Sequence, residues 1–431
     1  MKFNVSVWPT LCDRLSIVMI LLSALFLPFS TAGLEISTYL ALLVFLMGGR
    51  YTEKFHFLKK QPFALAGIGL FLIVLLWSFH SLGTPHDMLT RIKAYEKILL
   101  IPVTLWAFAR FPKMRDRFLL MLIISLLLNF ILGILKFHHC LPAEWSTAFQ
   151  SDSSASFGSF KGSGHIALSY IASMLTFGFS VVFIHQYRFL STTQKIVTSL
   201  CTLFCFYYLL AINDGRSGFL ILGVLAVYLL IRMIFSFKAY KFALLCLIGG
   251  IFVISLAYQA STHLKQSIDR GKTDIVLYQE GNHLTSWGYR IYMWENTLKL
   301  IRKKPLIGYG TGSIANDWAD ILHSPDTVRN PHNQYLFLWV ENGILGLFAF
   351  LAFLFFAARN AIPLGAWQNP STLPSSNLST QTLKILLEGF VLAFATGCLY
   401  NSWLHDVHEG FFFILGLAAL RSLIDSRTPK P

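Results

Sequence analysis

Charge is what this sequence has least of. Only 13% of its 431 residues are Asp, Glu, Lys or Arg, against roughly a quarter in a soluble domain. Acidic groups are the scarcer kind, 21 against 35 basic ones, which gives a formal net charge of +14. A soluble globular fold is excluded. Nucleic acid is not implied by the basic excess, because no polar domain exists to carry those residues as a binding face. Cysteine is sparse too: Cys12, Cys140, Cys201, Cys205, Cys246 and Cys398 form no CxxC and no Cys/His metal spacing. No disulfide framework follows, and only Cys140 is expected to face outward. P-loop, GxGxxG, GxSxG and sugar-nucleotide DxD patterns are all missing from any setting that would give them meaning.

What the chain has instead is apolar residues, 55% of the total. They fall in runs long enough for membrane helices. About twelve spans are expected, with cores near 15–30, 34–48, 63–80, 98–110, 117–137, 165–185, 196–212, 217–236, 241–260, 333–358, 383–402 and 409–424. The second and fourth are short. The fold expected is an all-α polytopic membrane protein with one large periplasmic loop domain between spans nine and ten. Residues 1–260 form a nine-span bundle, 261–332 a helical loop domain acting as a catalytic lid, and 333–431 a three-span region. The start, LSIVMILLSALFLPFSTAG, has the look of a signal peptide. An uncleaved span in a hairpin with ISTYLALLVFLMG is the favoured reading. Loops rich in Lys and Arg (residues 50–60, 110–117, 188–195 and 232–241) share one side with both termini, which marks that side as the cytoplasm. Arg91, Lys93 and Lys97 are the main positives on the opposite short loops. The long outer loop is basic against the trend, and an anionic ligand at the outer surface explains it.

Three stretches hold candidate chemistry. NDGRSG, 213–218, joins two spans and sets Arg216 at a helix end. It is either a snorkelling anchor in a glycine turn or a fixed, forked cation for phosphate. In WGYRIYMWENTLKLIRKKP, 287–305, Ile291, Trp294, Leu298 and Ile301 read as the packed stripe, and Glu295, Lys299, Arg302 and Lys303 as the opposite face. Arg290 borders the packed stripe and needs a partner: an acidic residue such as Asp317 or Glu295, or a phosphate brought by the substrate. In NPHNQYLFLWVENGILG, 330–346, Pro331 suits a first helical turn, which would set His332 among free N–H groups. A helix N-terminus and nearby arginines keep an imidazole neutral, hence able to take a proton near pH 7. A structural cap is the alternative. Glu341 lies deeper, for a cation or a hydrogen bond. Lys161, in the small-residue loop before 165, and Arg329 and Asn333, beside His332, are further candidates for touching substrate. NSWLHDVHEG, 401–410, groups His405, Asp406, His408 and Glu409 without the HExxH frame, and a metal site is not expected there.

Taken together, DGRSG, the run from Arg290 to KPLIGYGTGS, and HNxYLxxxxExGxxG from His332 to Gly346 resemble the O-antigen ligase/polymerase superfamily of bacterial envelope glycan enzymes. The resemblance covers about 200–350. It implies a GT-C-like glycosyltransferase of the inner membrane, working on the periplasmic face without ATP or metal. In the ligases of that family the donor is a glycan on undecaprenyl pyrophosphate and the acceptor a sugar hydroxyl of lipid A–core. By the resemblance, Arg216 and Arg290 would hold the pyrophosphate and His332 would serve as general base. A single dominant outer loop favours ligase over polymerase. The chain ending soon after its last span counts against a protein O-oligosaccharyltransferase. A secondary transporter of an organic anion, the reading from another class, lacks duplicated halves and broken mid-membrane helices.

Overall fold

The computed structural model describes all residues except 1–7, 142–163, 214, 238–239, 261, 284, 315–329, 360–377 and 426–431. Among the described residues every regular element is helical. Eight helices are long and apolar enough to cross a membrane, or nine if the bent pair Thr31–Met47 and Tyr51–Lys59, at 113°, is one span. The chain forms two compact units, one of Met1–Leu126, Arg290–Gly365 and Cys398–Pro431, the other of Leu127–Tyr289 and Ala366–Gly397.

In the first unit, α1 (Trp8–Phe26) and α2 (Thr31–Met47) pack as the hairpin expected at the start. Ser30 caps α2 by accepting from the Gly33 amide, which fixes the tight reversal. Then follow α3 (Tyr51–Lys59), α4 (Pro62–Trp77), α5 (Pro85–Glu96), α6 (Leu100–Arg110) and the first half of α7 (Pro112–Phe137). Proline opens both α4 and α5, where its missing N–H costs nothing. The apolar run at 98–110 becomes α6, whose 11 residues span about 16 Å, half a bilayer core. Its side chains are nearly all buried, which accounts for hydropathy that reads as a short span.

In the second unit, the rest of α7 is followed by α8 (His165–Gln186), α9 (Thr192–Tyr207), a π turn at Tyr208–Ile212, α10 (Arg216–Phe237), α11 (Tyr240–Ala260) and α12 (Thr262–Gln279). A capping box of Ser191 and Gln194 starts α9. α13 (Ser286–Lys303) begins in this unit and continues into the first. α14 (Gln334–Arg359) and α16 (Val407–Asp425) belong to the first unit, α15 (Thr380–Gly397) to the second. The stretch expected to be a helical loop domain thus contains α12 and α13. Each of the twelve apolar runs falls mainly on a helix, but the run 383–402 overshoots α15, which ends at Gly397, carries Lys384 and Glu388 and is absent from the apolar spans.

α14 is where the first unit departs from ideal geometry. Gly343 has φ +64 in the middle of the helix, and a Cβ there would meet the Leu306 carbonyl oxygen at 2.2 Å. The break opens the helical ladder, and residues 305–310 insert into it. Tyr309 N donates to Val340 O at 3.0 Å, Gly310 N to Glu341 O at 2.8 Å, and Ile344 N to Pro305 O at 3.1 Å. Gly310, at φ +94, passes Ser81 so closely that a Cβ would lie 2.2 Å from its Cα. Irregular backbone at this depth is tolerated because protein supplies its hydrogen bonds.

Candidate active site

α14 begins one turn later than Pro331 implies. The Asn333 side-chain oxygen accepts from the amides of Tyr335 at 3.0 Å and Leu336 at 3.1 Å, so Asn333 is the cap. Its Nδ2 donates to Leu399 O at 2.7 Å. The residue read as touching substrate also caps the helix and is tied to a neighbouring segment.

His332 precedes the cap in a left-handed conformation, φ 51, where non-glycine residues are uncommon. Its amide donates to Asn330 Oδ1 at 2.9 Å, and its Nδ1 lies 3.2 Å from Asn401 Oδ1. Burial lowers the imidazole pKa from its ordinary value and the Arg290 charge lowers it further; the Asn401 contact and the Asp406 charge oppose them. The imidazole is thereby kept as the neutral, proton-accepting form.

Arg290 reaches the same segment. Its Nε donates to Tyr400 O at 3.2 Å; of the two acidic partners expected, Glu295 is exposed and Asp317 lies outside the described residues. The packed stripe of α13 is offset from the one expected. Met293, Asn296, Thr297, Leu300 and Ile301 are buried and Leu298 is 38% exposed. Asn296 and Thr297 go inward because each satisfies its polar group on a carbonyl one turn back, at 2.9 and 2.7 Å. Arg290 lies on this true stripe by helical spacing; Glu295, Lys299, Arg302 and Lys303 are exposed as expected.

Residues 398–402 are the common brace. Cys398 O accepts from Gln334 N at 2.8 Å. The next three residues hold Asn333, Arg290 and His332 in turn, and Ser402 Oγ donates to Asn330 Oδ1 at 2.6 Å. Behind it, Gln334 donates to Tyr95 OH at 2.6 Å and accepts from Leu404 N at 3.0 Å.

Two cations read as outer-loop charges are interior instead. Arg91 pairs with Glu341 at 3.2 Å, both side chains under 10% exposed, and its guanidinium lies over the Phe337 ring at 4.0 Å. Glu341 also accepts from the amides of Gly312 and Ile314. This gives Glu341 both roles that sequence left open. Lys97 donates to the carbonyls of Asp406 at 2.6 Å and His405 at 3.2 Å, and its burial lowers its pKa to about 8. Among the described residues no group of three or more His, Cys, Asp or Glu side chains is placed to hold a metal ion.

Arg216 belongs to the second unit. It opens α10 and pairs with Asp274 of α12 at 3.0 Å. Its turn packs on α8 through a Ser217–Ser169 hydroxyl contact at 3.0 Å and a bond from Ser173 Oγ to Gly218 O at 2.8 Å. Thr285 caps α13 through Gly288 N at 3.1 Å and donates to Asp274 O at 3.3 Å. Lys161 and Arg329 lie outside the described residues.

Asn401, Tyr400, Arg91 and Asp274 were not singled out as site residues by the sequence. The brace works largely through carbonyls, which leave no trace in residue type. Arg91, among the few positives expected on that side, and Glu341 inside a span were the one available signal, as mutually compensating charges.

Residues 200–351 match the family model described as O-antigen ligase, a range that includes Arg216, Arg290 and His332. An uncharacterized protein from Haemophilus influenzae is 29% identical over 149 residues, covering 33% of this chain. The chain matches 37% of that protein's length. Over residues 200–351, about a third of its length, the chain is similar to the O-antigen ligase family.

Proposed function

We propose that the protein is an O-antigen ligase of the bacterial inner membrane, with about twelve helical segments in the membrane region, both termini cytoplasmic and chemistry on the periplasmic face. It transfers a glycan from undecaprenyl pyrophosphate to a sugar hydroxyl of lipid A–core. The observation that supports it best is His332, strained and braced by Asn401 while Arg290 is tied to the adjoining Tyr400, with His332 and Arg290 both inside the segment that matches the family.

The chemistry needs little else. The acceptor oxygen attacks the anomeric carbon and passes its proton to His332. The carbon–oxygen bond to the pyrophosphate breaks, and its electron pair leaves with the lipid carrier. Arg290 offsets the charge that grows on that leaving group, and Arg216 is the second cation assigned to it. Asp274 pairs with Arg216 and is the group a phosphate would displace. One displacement inverts the anomeric carbon. Lys161 and Arg329 are assigned to the glycan or its phosphates. No metal and no nucleotide enters the step.

Purified protein, a lipid-linked glycan and lipid A–core test it directly. His332→Ala is expected to lose about 100-fold or more in transfer rate, the range for a general base. Product with retained anomeric configuration, or wild-type transfer by the variant, contradicts the mechanism. Asp274→Asn is expected to retain donor affinity and Arg216→Ala to lose it. Growth of the lipid-linked glycan itself, with lipid A–core ignored, identifies a polymerase.

A further inference from the structure

Five consecutive residues, 398–402, each hold a different group of the segment around His332 and Arg290, and one of those contacts carries chemical information. Asn401 Oδ1 lies 3.2 Å from His332 Nδ1, and Asn401 is 3% exposed, so water does not compete for its amide. An imidazole that donates from one nitrogen presents a lone pair on the other. The contact is made rigid from both ends. Ser402 Oγ donates to Asn330 Oδ1, the same oxygen that accepts the His332 amide, so the bend of His332 and the neighbour of Asn401 are fixed through one atom. Strain of this kind, φ 51 at a histidine, persists only where its surroundings over-determine it.

We infer that Asn401 is the positioning residue for His332: it holds the proton on Nδ1 and so makes Nε2 the atom that takes the acceptor's proton. The catalytic half of this statement rests on the function proposed above; the tautomer does not. A base oriented by a third group is the general arrangement for activated hydroxyl attack. An amide in that place orients the ring without adding charge; its hydrogen bond opposes the lowering by burial and Arg290, and the net shift stays downward. Among the described residues the Asp406 charge also acts on the ring, from the same connecting segment.

The test is nitrogen NMR of the full chain with 15N-labelled histidine in lipid bilayers, the His332 signals identified by their loss in His332→Gln. The neutral form is expected to carry its proton on Nδ1. Asn401→Asp is expected to keep that tautomer and raise the titration of His332 by about one pH unit or more, as an adjacent carboxylate does. Asn401→Leu is expected to release the tautomer. In the transfer assay Asn401→Leu then loses about tenfold to a hundredfold in kcat with the acceptor KM retained, the scale of a misaligned group. Asn401→Asp recovers that rate above its shifted pKa, which a merely structural role does not produce. A His332 proton on Nε2, or a spectrum unmoved by Asn401→Leu, overturns the assignment whatever the activity. The expected tautomer in a protein whose His332→Gln variant transfers at the wild-type rate supports the Asn401 contact and overturns instead the base proposed above.

Discussion

His332 and Arg290 act on each other electrostatically, and the sign of that interaction is measurable. The arginine charge disfavours a second positive charge, so it keeps the imidazole neutral to lower pH. Removing it in Arg290→Gln raises the His332 pKa. The acid limb of kcat/KM against pH is then expected to move to higher pH, whatever happens to its height. A limb that moves down or stays contradicts the pairing. Arg91 and Glu341 are a different case, since both are buried and paired. Removing one partner leaves a bare charge in the interior. Arg91→Ala or Glu341→Ala is expected to cost about 3–5 kcal/mol, while Arg91→Met with Glu341→Leu costs much less. Thermal unfolding of the detergent-solubilised protein distinguishes them. Residue type alone identified His332, Arg290 and Glu341 as candidates and read Arg91 only as a loop charge. It did not say which charges face which, because that depends on the insertion of residues 305–310 into α14.

At the scale of elements, the break in α14 holds the 305–314 loop in the first unit. Gly343→Ala combines a left-handed φ with a Cβ 2.2 Å from a carbonyl oxygen. It is expected to lower the unfolding temperature clearly and to reduce transfer, because Glu341 and the 305–314 loop are displaced together. Gly69→Ala in α4, where a Cβ meets open space, is the control and is expected to be neutral or slightly stabilising. Equal effects from the two substitutions contradict the role given to the break. The GxG spacing of 308–312 was legible as a motif, and its need for positive φ is now visible at all three glycines. The register of α13 was not legible, since Asn296 and Thr297 hide their polarity inside the helix. α6 shows the same limit from the other side: a buried half-length helix and a short span have one hydropathy pattern.

For the whole molecule, apolar runs fixed the helical architecture early, because a backbone in lipid must satisfy its own hydrogen bonds. What they left out is the return of residues 398–402 to His332 and Arg290, which is made by carbonyls and one buried amide and brings together positions 65 or more apart in the chain. The account stands or falls on one activity, attachment of a finished glycan to lipid A–core with His332 as base. The most direct measurement is the lipopolysaccharide ladder on a silver-stained gel from a strain lacking this gene, complemented with the wild type or with His332→Ala. The account predicts loss of the O-antigen ladder with long lipid-linked glycan accumulating, restored by the wild type and not by the variant. Core bearing a single repeat unit contradicts ligation in favour of polymerisation, and an unchanged ladder contradicts both.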